Sequence, residues 1–338
     1  MKLRDVALDD KYTLEKGQIF VSGIQALVRL PMLQSQKDRT NGLNTAGFVT
    51  GYRGSPLGGL DQQLLLAQEH LTRNQVKFVP AVNEDLGATA VWGTQQSNLR
   101  GDGLYDGVFA MWFAKGPGVD RSGDAIRHGN LAGTSPNGGV LLLLGDDHAC
   151  ESSTTAHQSE YSLVNAMVPV LNPAGVQDIL DYGLYGWSLS RYSGCWVGLK
   201  CVHDTVEASA SVSVSVDRIQ TEVPADFILP GGGVHIRWPD GFLEQEERLH
   251  RYKLEAVKAF AKANPIDRQI MGDSDAHTGI VTTGKSYLDV RRALLELNID
   301  EIRAKALGLK LYKVGMSWPV EPNGVRTFAR GLKRLIVV

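Results

Sequence analysis

Val140-Leu141-Leu142-Leu143-Leu144 is the stretch that most restricts the fold. Large aliphatic residues stand in an unbroken row between Gly139 and Gly145. A strand with one wet face alternates apolar and polar side chains, and this run does not. Both of its faces must therefore be covered, as in the centre of a parallel sheet with helices on either side. The run is also far too short to span a bilayer.

The rest of the first half repeats that theme. Strands are expected at 46–52, 76–82, 107–113, 139–145, 168–171 and 195–200. Helical patterns fall between them. One has Leu60, Leu64, Ala67 and Leu71 on one face, and others run over 84–99, 126–132 and 176–192. Ile24, Leu27 and Val28 begin a further helix that Pro31 should kink or end. Strands alternating with helices predict an α/β fold with a doubly wound, mostly parallel sheet.

After about residue 205 the character changes. Residues 208–216 read equally as strand or helix end, and 224–239, with Gly231-Gly232-Gly233, as a connecting loop. A long charged helix is expected over 242–263, with Leu249, Tyr252, Ala256 and Phe260 on one face. Strands at 280–283, 309–314 and 335–338 alternate with helices at 287–297 and 324–332, which makes a second, smaller α/β unit. The expected organisation is an N-terminal arm (1–17), a first domain (18–215), a connecting segment with the long helix (216–272) and a second domain (273–338). That domain stops inside an apolar strand, so the chain is expected to be the front part of a longer polypeptide.

Composition narrows the class. With 35 Lys and Arg against 37 Asp and Glu, nothing suggests a nucleic-acid partner. Cys150, Cys195 and Cys201 form no CxxC pair, so this stretch offers no iron–sulfur or zinc site. The residues after Met1 lack the apolar core of a signal peptide, and no segment reads as a membrane span. A cytoplasmic protein is expected.

In open α/β sheets ligands sit beyond the carboxyl ends of the strands. Loops 52–59, 83–87, 114–130 and 145–160 gather there, and they hold nearly every unusual polar residue of the first half. Glu84 is the acid to watch. It stands between an apolar strand and a helix of small residues, Gly87, Ala88 and Ala90. A poorly solvated carboxyl there suits proton handling near neutral pH. The alternative is an acid that merely complements the helix dipole.

Several motifs in order carry a resemblance. Thr50-Gly51-Tyr52-Arg53-Gly54-Ser55-Pro56 resembles the Gly-Tyr-Pro-Gly-Thr-Pro turn of the 2-oxoacid:ferredoxin oxidoreductases, and Val82-Asn83-Glu84 resembles their Val-Asn-Glu. Residues 115–121, Gly145-Asp146-Asp147-His148 with Ser152-Ser153, and Ile236-Arg237-Trp238-Pro239-Asp240 are similar to the long, fused indolepyruvate branch.

That resemblance implies a thiamine diphosphate enzyme. The first domain would be of the pyrimidine-binding type and the second related to the transketolase C-terminal domain. Glu84 takes the place of the glutamate that hydrogen-bonds the aminopyrimidine ring; Asp is too short for this and Gln has no acidic proton. Asn83 and Pro56 would join Glu84 around the cofactor. Tyr52, Arg53, Ser55, His148, Ser152 and Ser153 would line the substrate side, Ser55 keeping the hydroxyl of the family's threonine. Arg53 departs from the family's proline; it either clamps a carboxylate or lies on the surface. Lys115, Arg121 and Arg127 either meet an anionic substrate or are solvated loop charges.

The implied reaction is oxidative decarboxylation of a 2-oxoacid, an aryl pyruvate such as indolepyruvate, with coenzyme A as co-substrate. Electrons would pass to iron–sulfur clusters and ferredoxin. Mg²⁺ and the clusters would be bound by parts of the enzyme outside this chain. The chain alone would be inactive. Its partners would be the diphosphate-binding and iron–sulfur domains of the same enzyme, in a dimer or larger assembly. Gly101-Asp102-Gly103 with Asn130 imitates the magnesium signature but lacks a preceding buried strand and a second asparagine. A non-catalytic α/β module and a plain nucleotide-binding Rossmann domain are the competing readings. For the second, no Gly-x-Gly-x-x-Gly joins a strand to a helix.

Overall fold

The computed structural model of the chain describes residues 6–150 and 155–338. Its strands are β1 (Gly17–Ser22), β2 (Ala46–Gly51), β3 (Val76–Pro80), β4 (Val108–Lys115), β5 (Val140–Asp146), β6 (Val170–Leu171), β7 (Val197–Val202), β8 (Ser209–Val214), β9 (Arg268–Met271), β10 (Thr278–Thr283), β11 (Leu309–Val314), β12 (Met316–Trp318) and β13 (Arg334–Val337). The α/β, mostly parallel architecture is as expected.

The main sheet has seven strands in the order β12-β6-β7-β5-β4-β2-β3. Six of them are parallel and coincide with the expected strands. β5 lies between β4 and β7 and is buried along its whole length. Successive side chains point to opposite faces. Met111, Phe113, Leu141 and Leu143 accordingly join one core, and Ala110, Trp112, Leu142 and Leu144 the other. Each fully buried leucine contributes about 1.5–3 kcal/mol.

The helix Gly23–Thr40 opens with a capping box, Ser22 accepting from the Gln25 amide and Gln25 returning the bond. Of the two expected effects of Pro31, a kink or an end, the end does not occur: the helix continues through Pro31 to Thr40. Leu27, Leu30, Met32 and Leu33 are all buried, and that packing outweighs the lost backbone bond. The helix Val176–Ser193 crosses it closely, with Gly183 against Leu30. The N-terminal segment lies on this same unit: Tyr12 is buried, and Arg29 donates to the Tyr12 and Leu14 carbonyls. The ambiguous 208–216 stretch is a strand, β8, paired antiparallel with β1.

The expected long helix at 242–263 is present but not regular. Residues Leu249–Lys253 form a π-turn between the helices Phe242–Arg248 and Leu254–Ala263. The wider turn brings Lys253 inward, off the apolar stripe. Its ammonium donates to the Asn130 and Leu131 carbonyls at 2.9 and 3.0 Å, near the end of the helix Gly123–Ala132. Burial pushes that ammonium down to about 8.

The second unit is a sheet in the order β13-β10-β11-β9, with β9 antiparallel. β12, which periodicity missed, leaves this unit and pairs antiparallel with β6, adding a strand to the first sheet. Asp267 holds the crossing by accepting from the Gly315 and Met316 amides at 2.7 and 3.0 Å. Lys313 reaches across to Asp178 at 2.5 Å. No helix among the described residues is long and apolar enough to cross a membrane.

Two predictions follow the buried charges. Asp38 accepts both Arg191 guanidinium nitrogens at 2.7 Å and also bonds Thr45 and Gln34. Asp38→Ala strands a half-buried guanidinium, so thermal or urea unfolding should show a loss of about 3 kcal/mol. Burial pushes the Asp267 carboxyl above its ordinary 3.8. A carboxyl raised in the native state stabilises the fold most below its unfolded value, and that contribution is lost as pH rises through the native one. Asp267→Asn keeps an acceptor oxygen without the charge. Urea titrations at rising pH above 3.8 should therefore show the variant gaining steadily on the parent.

Candidate functional site

Parallel strands put all their carboxyl ends on one edge, and the loops after β2, β3, β4 and β5 meet there. β2 ends at Gly51, and the Tyr52 amide bonds the Phe113 carbonyl at 3.0 Å, which fixes how the next loop leaves the sheet. The Ser55–Pro56 bond is cis. Pro56 is buried, Ser55 half-buried, and Tyr52 and Arg53 are exposed. Gly54 lies so close to Lys115 that an added Cβ would stand 2.7 Å from its Cδ. The β2 and β4 loops are thus in contact.

After β3 the chain turns at Asn83, whose side-chain oxygen accepts from the Leu86 amide at 2.9 Å and caps the helix Glu84–Thr94. This ends the helix shorter than expected but starts it at Glu84 as expected. Glu84 and Asp85 both stand in the first turn, so the dipole-complementing role is satisfied as well. Glu84 has two further constraints. Its carbonyl accepts from the indole Nε1 of buried Trp112 at 3.0 Å. Its side chain lies on Gly118, where an added Cβ would meet Glu84 Cγ at 2.6 Å and Oε1 at 2.9 Å. Gly118 belongs to the short helix Gly116–Arg121 that follows β4. A glycine is needed there because nothing larger leaves room for the acid.

The β5 end carries a polar knot that sequence reasoning only partly found. Asp146 is buried and accepts from the Ser159 amide at 3.1 Å and from the Ser159 hydroxyl at 2.5 Å. Lys200, inside β7, stands 3.5 Å from Asp146 and 2.5 Å from Glu160. His157 Nε2 bonds Asp120 at 2.9 Å, and Asp120 also accepts from the Ser162 hydroxyl at 2.8 Å. Lys200 was the overlooked signal: a lysine inside an apolar strand needs a buried acid partner.

The predicted residues divide. Glu84, Asn83, Ser55 and Pro56 occupy the loops after β2 and β3. His148 is exposed on the loop after β5, and Ser152 and Ser153 lie outside the described residues. Arg121 is exposed, and the exposed Arg127 reaches only the Asn165 carbonyl at 3.5 Å. Asn130 of the imitated magnesium signature is buried and fully engaged with backbone: its amide donates to Ala166 and Met167, and its oxygen accepts from the Trp196 amide. Gly101-Asp102-Gly103 sits on an exposed loop.

A family model described as an indolepyruvate oxidoreductase domain matches residues 268–338. The chain is 24% identical to the indolepyruvate oxidoreductase subunit IorA of Pyrococcus abyssi over 346 residues, covering 100% of this chain and 47% of that subunit. It is 26% identical to IorA of Methanothermobacter thermautotrophicus, covering 98% and 48%. The chain resembles the N-terminal part of an indolepyruvate oxidoreductase. It spans about half the length of these relatives. Its fold matches a 2-oxoglutarate:ferredoxin oxidoreductase from Magnetococcus marinus with a TM-score of 0.64 at 17% identity, over 95% of this chain and 58% of that one.

The Gly118 contact is directly testable. Gly118→Ala places a methyl 2.6 Å from Glu84 Cγ, so the acid must leave its present position. A crystal structure of the variant with Glu84 unmoved would refute this packing.

Proposed function

We propose that this chain is the pyrimidine-side part of a thiamine diphosphate-dependent 2-oxoacid:ferredoxin oxidoreductase acting on an aryl pyruvate such as indolepyruvate. The observation that carries it is Glu84: a carboxyl at the carboxyl edge of a parallel sheet, seated on Gly118 and anchored through Trp112. The similarity to IorA subunits over nearly the whole chain supports the same reading.

The donor set fits the cofactor's ring: a carboxyl can bond a pyrimidine nitrogen. Gly118 lets the Glu84 side chain, and Gly116 the His157 ring, pack directly on the backbone of one short helix, which holds that carboxyl in place. Glu84 is half-buried, while Val82 and Leu86 beside it are 82% and 53% exposed. Such a site is one wall of a cleft, and the diphosphate-binding domain of the same enzyme supplies the other. Thiamine diphosphate, when bound, supplies the electron sink that decarboxylation of a 2-oxoacid requires.

The chain's own residues bind and orient. Glu84 holds a proton at its carboxyl against the pyrimidine nitrogen, and the fixed backbone at residue 84 sets the direction of that bond. Asn83 shapes the turn that presents Glu84, and Pro56 closes the neighbouring loop. The Ser55 hydroxyl donates to the substrate carboxylate. Arg53 and Tyr52, exposed on that loop, flank it, and His148, exposed on the loop after β5, belongs with Ser152 and Ser153 to the proposed substrate side. The partition into an arm (1–17), a pyrimidine-binding domain (18–215), a connector (216–272) and a transketolase C-terminal-like domain (273–338) belongs to this proposal. So do Mg²⁺ and iron–sulfur clusters held outside this chain, coenzyme A as co-substrate, ferredoxin as acceptor, and inactivity of the chain alone.

In the complete enzyme, Glu84→Gln is expected to lower kcat for 2-oxoacid decarboxylation by about 10²–10⁴-fold, with the unfolding temperature unchanged. Near-normal turnover would sink the assignment.

A further inference from the structure

The residues that hold Glu84 are themselves held. Gly118, on which the Glu84 side chain rests, belongs to the short helix Gly116–Arg121. That helix has too few backbone bonds to hold itself in place, so its position depends on side chains. Among the described contacts His157 supplies most of them, beside the Ser162 hydroxyl, which donates to Asp120 at 2.8 Å, and the buried Val119. The imidazole lies against Gly116, where an added Cβ would stand 2.1 Å from ring atoms Cγ and Nδ1. Its Nε2 bonds Asp120 of the same helix at 2.9 Å. The helix is therefore gripped at both ends by one side chain. Its middle residue, Gly118, faces Glu84.

His157 is in turn fixed from behind. Its backbone amide bonds the Asp147 carbonyl at 3.2 Å. Two residues on, Ser159 is tied to buried Asp146 by both its amide and its hydroxyl. The Nδ1 of His157 is buried, has no hydrogen-bond partner among the described residues, and stands 3.7 Å from Asp146. The charged groups facing this cluster are Asp120, Asp146, Lys200 and Glu160.

We infer that His157 is a positioning residue: through Gly116 and Asp120 it sets the helix Gly116–Arg121 and thereby the placement of Glu84. It touches neither the cofactor ring nor the substrate. The catalytic half of this inference rests on the proposed function, while the mechanical half does not. The Nε2 bond specifies which substitute can serve. Glutamine carries its amide nitrogen near the Nε2 position and asparagine near Nδ1, so only glutamine can renew the bond to Asp120.

The test pairs hydrogen–deuterium exchange on this chain with kinetics of the complete enzyme. His157→Ala should speed exchange at 84–87 and 116–121 at least tenfold over the parent, with distant β10 and β11 unchanged. His157→Gln should restore it, His157→Asn should not, and Asp120→Ala should reproduce His157→Ala without adding to it. In the enzyme, His157→Ala should lower kcat at least tenfold with KM for the aryl pyruvate within twofold, and His157→Gln should recover most of it. Unchanged exchange at 84–87 in both His157→Ala and Asp120→Ala overturns the inference, whatever the activity. So does equal rescue by asparagine and glutamine. Changed exchange with glutamine rescue upholds the positioning role even if Glu84→Gln proves fully active, in which case the proposed function alone falls.

Discussion

Both faces of β5 are dry, and the rest of the molecule is arranged around that condition. A sheet with no wet face leaves its inner strands no place for a functional polar group. Odd residues of β4 and β5 enter one core and even residues the other. Polar chemistry is therefore driven to the ends of the strands. Because the strands are parallel, the ends that carry the Glu84, Ser55 and Asp146 loops all fall on one edge.

Several charges that enter the interior are satisfied by partners on distant segments. Arg191–Asp38 ties the helix Val176–Ser193 to the helix Gly23–Thr40. Lys253 ties the π-turn to the helix Gly123–Ala132. Lys313–Asp178 and the Asp267 bonds tie the second unit to the first, alongside β12 in the main sheet. Removing one partner of a buried pair costs several kcal/mol, so these contacts fix relative placement more than they add net stability. The same economy operates at the edge. There His157, Asp120 and Gly118 turn a two-turn helix into a seat for Glu84.

Much of this was legible. The six parallel strands, the helices between them and the smaller second unit all followed from periodicity and turn residues. β1 and β9 were not among the expected strands, and three further features did not follow either. Pro31 lies inside a helix because burial on all sides outweighs one lost bond. The π-turn at 249–253 is invisible to a stripe pattern because it inserts one residue into a turn. β12 is three residues long, too short to show a period. At the site, Glu84, Asn83 and Ser55 could be placed by their position after strands. His157 and Asp120 fall in loops expected at that edge, but the partners that give them and Lys200 their meaning lie 37 to 40 residues away and were not legible.

The amino-acid sequence by itself determined the α/β alternation, the doubly covered sheet and the edge on which the acid at position 84 would lie. These are local matters: a run of aliphatic residues must be buried, and a glycine-rich turn must follow a strand. Only the tertiary structure decided that Glu84 rests on Gly118, that a histidine from another loop fixes that glycine, and that the second unit lends a strand to the first. Contacts across the sheet edge depend on distances between chain segments, and no spacing along the chain encodes them.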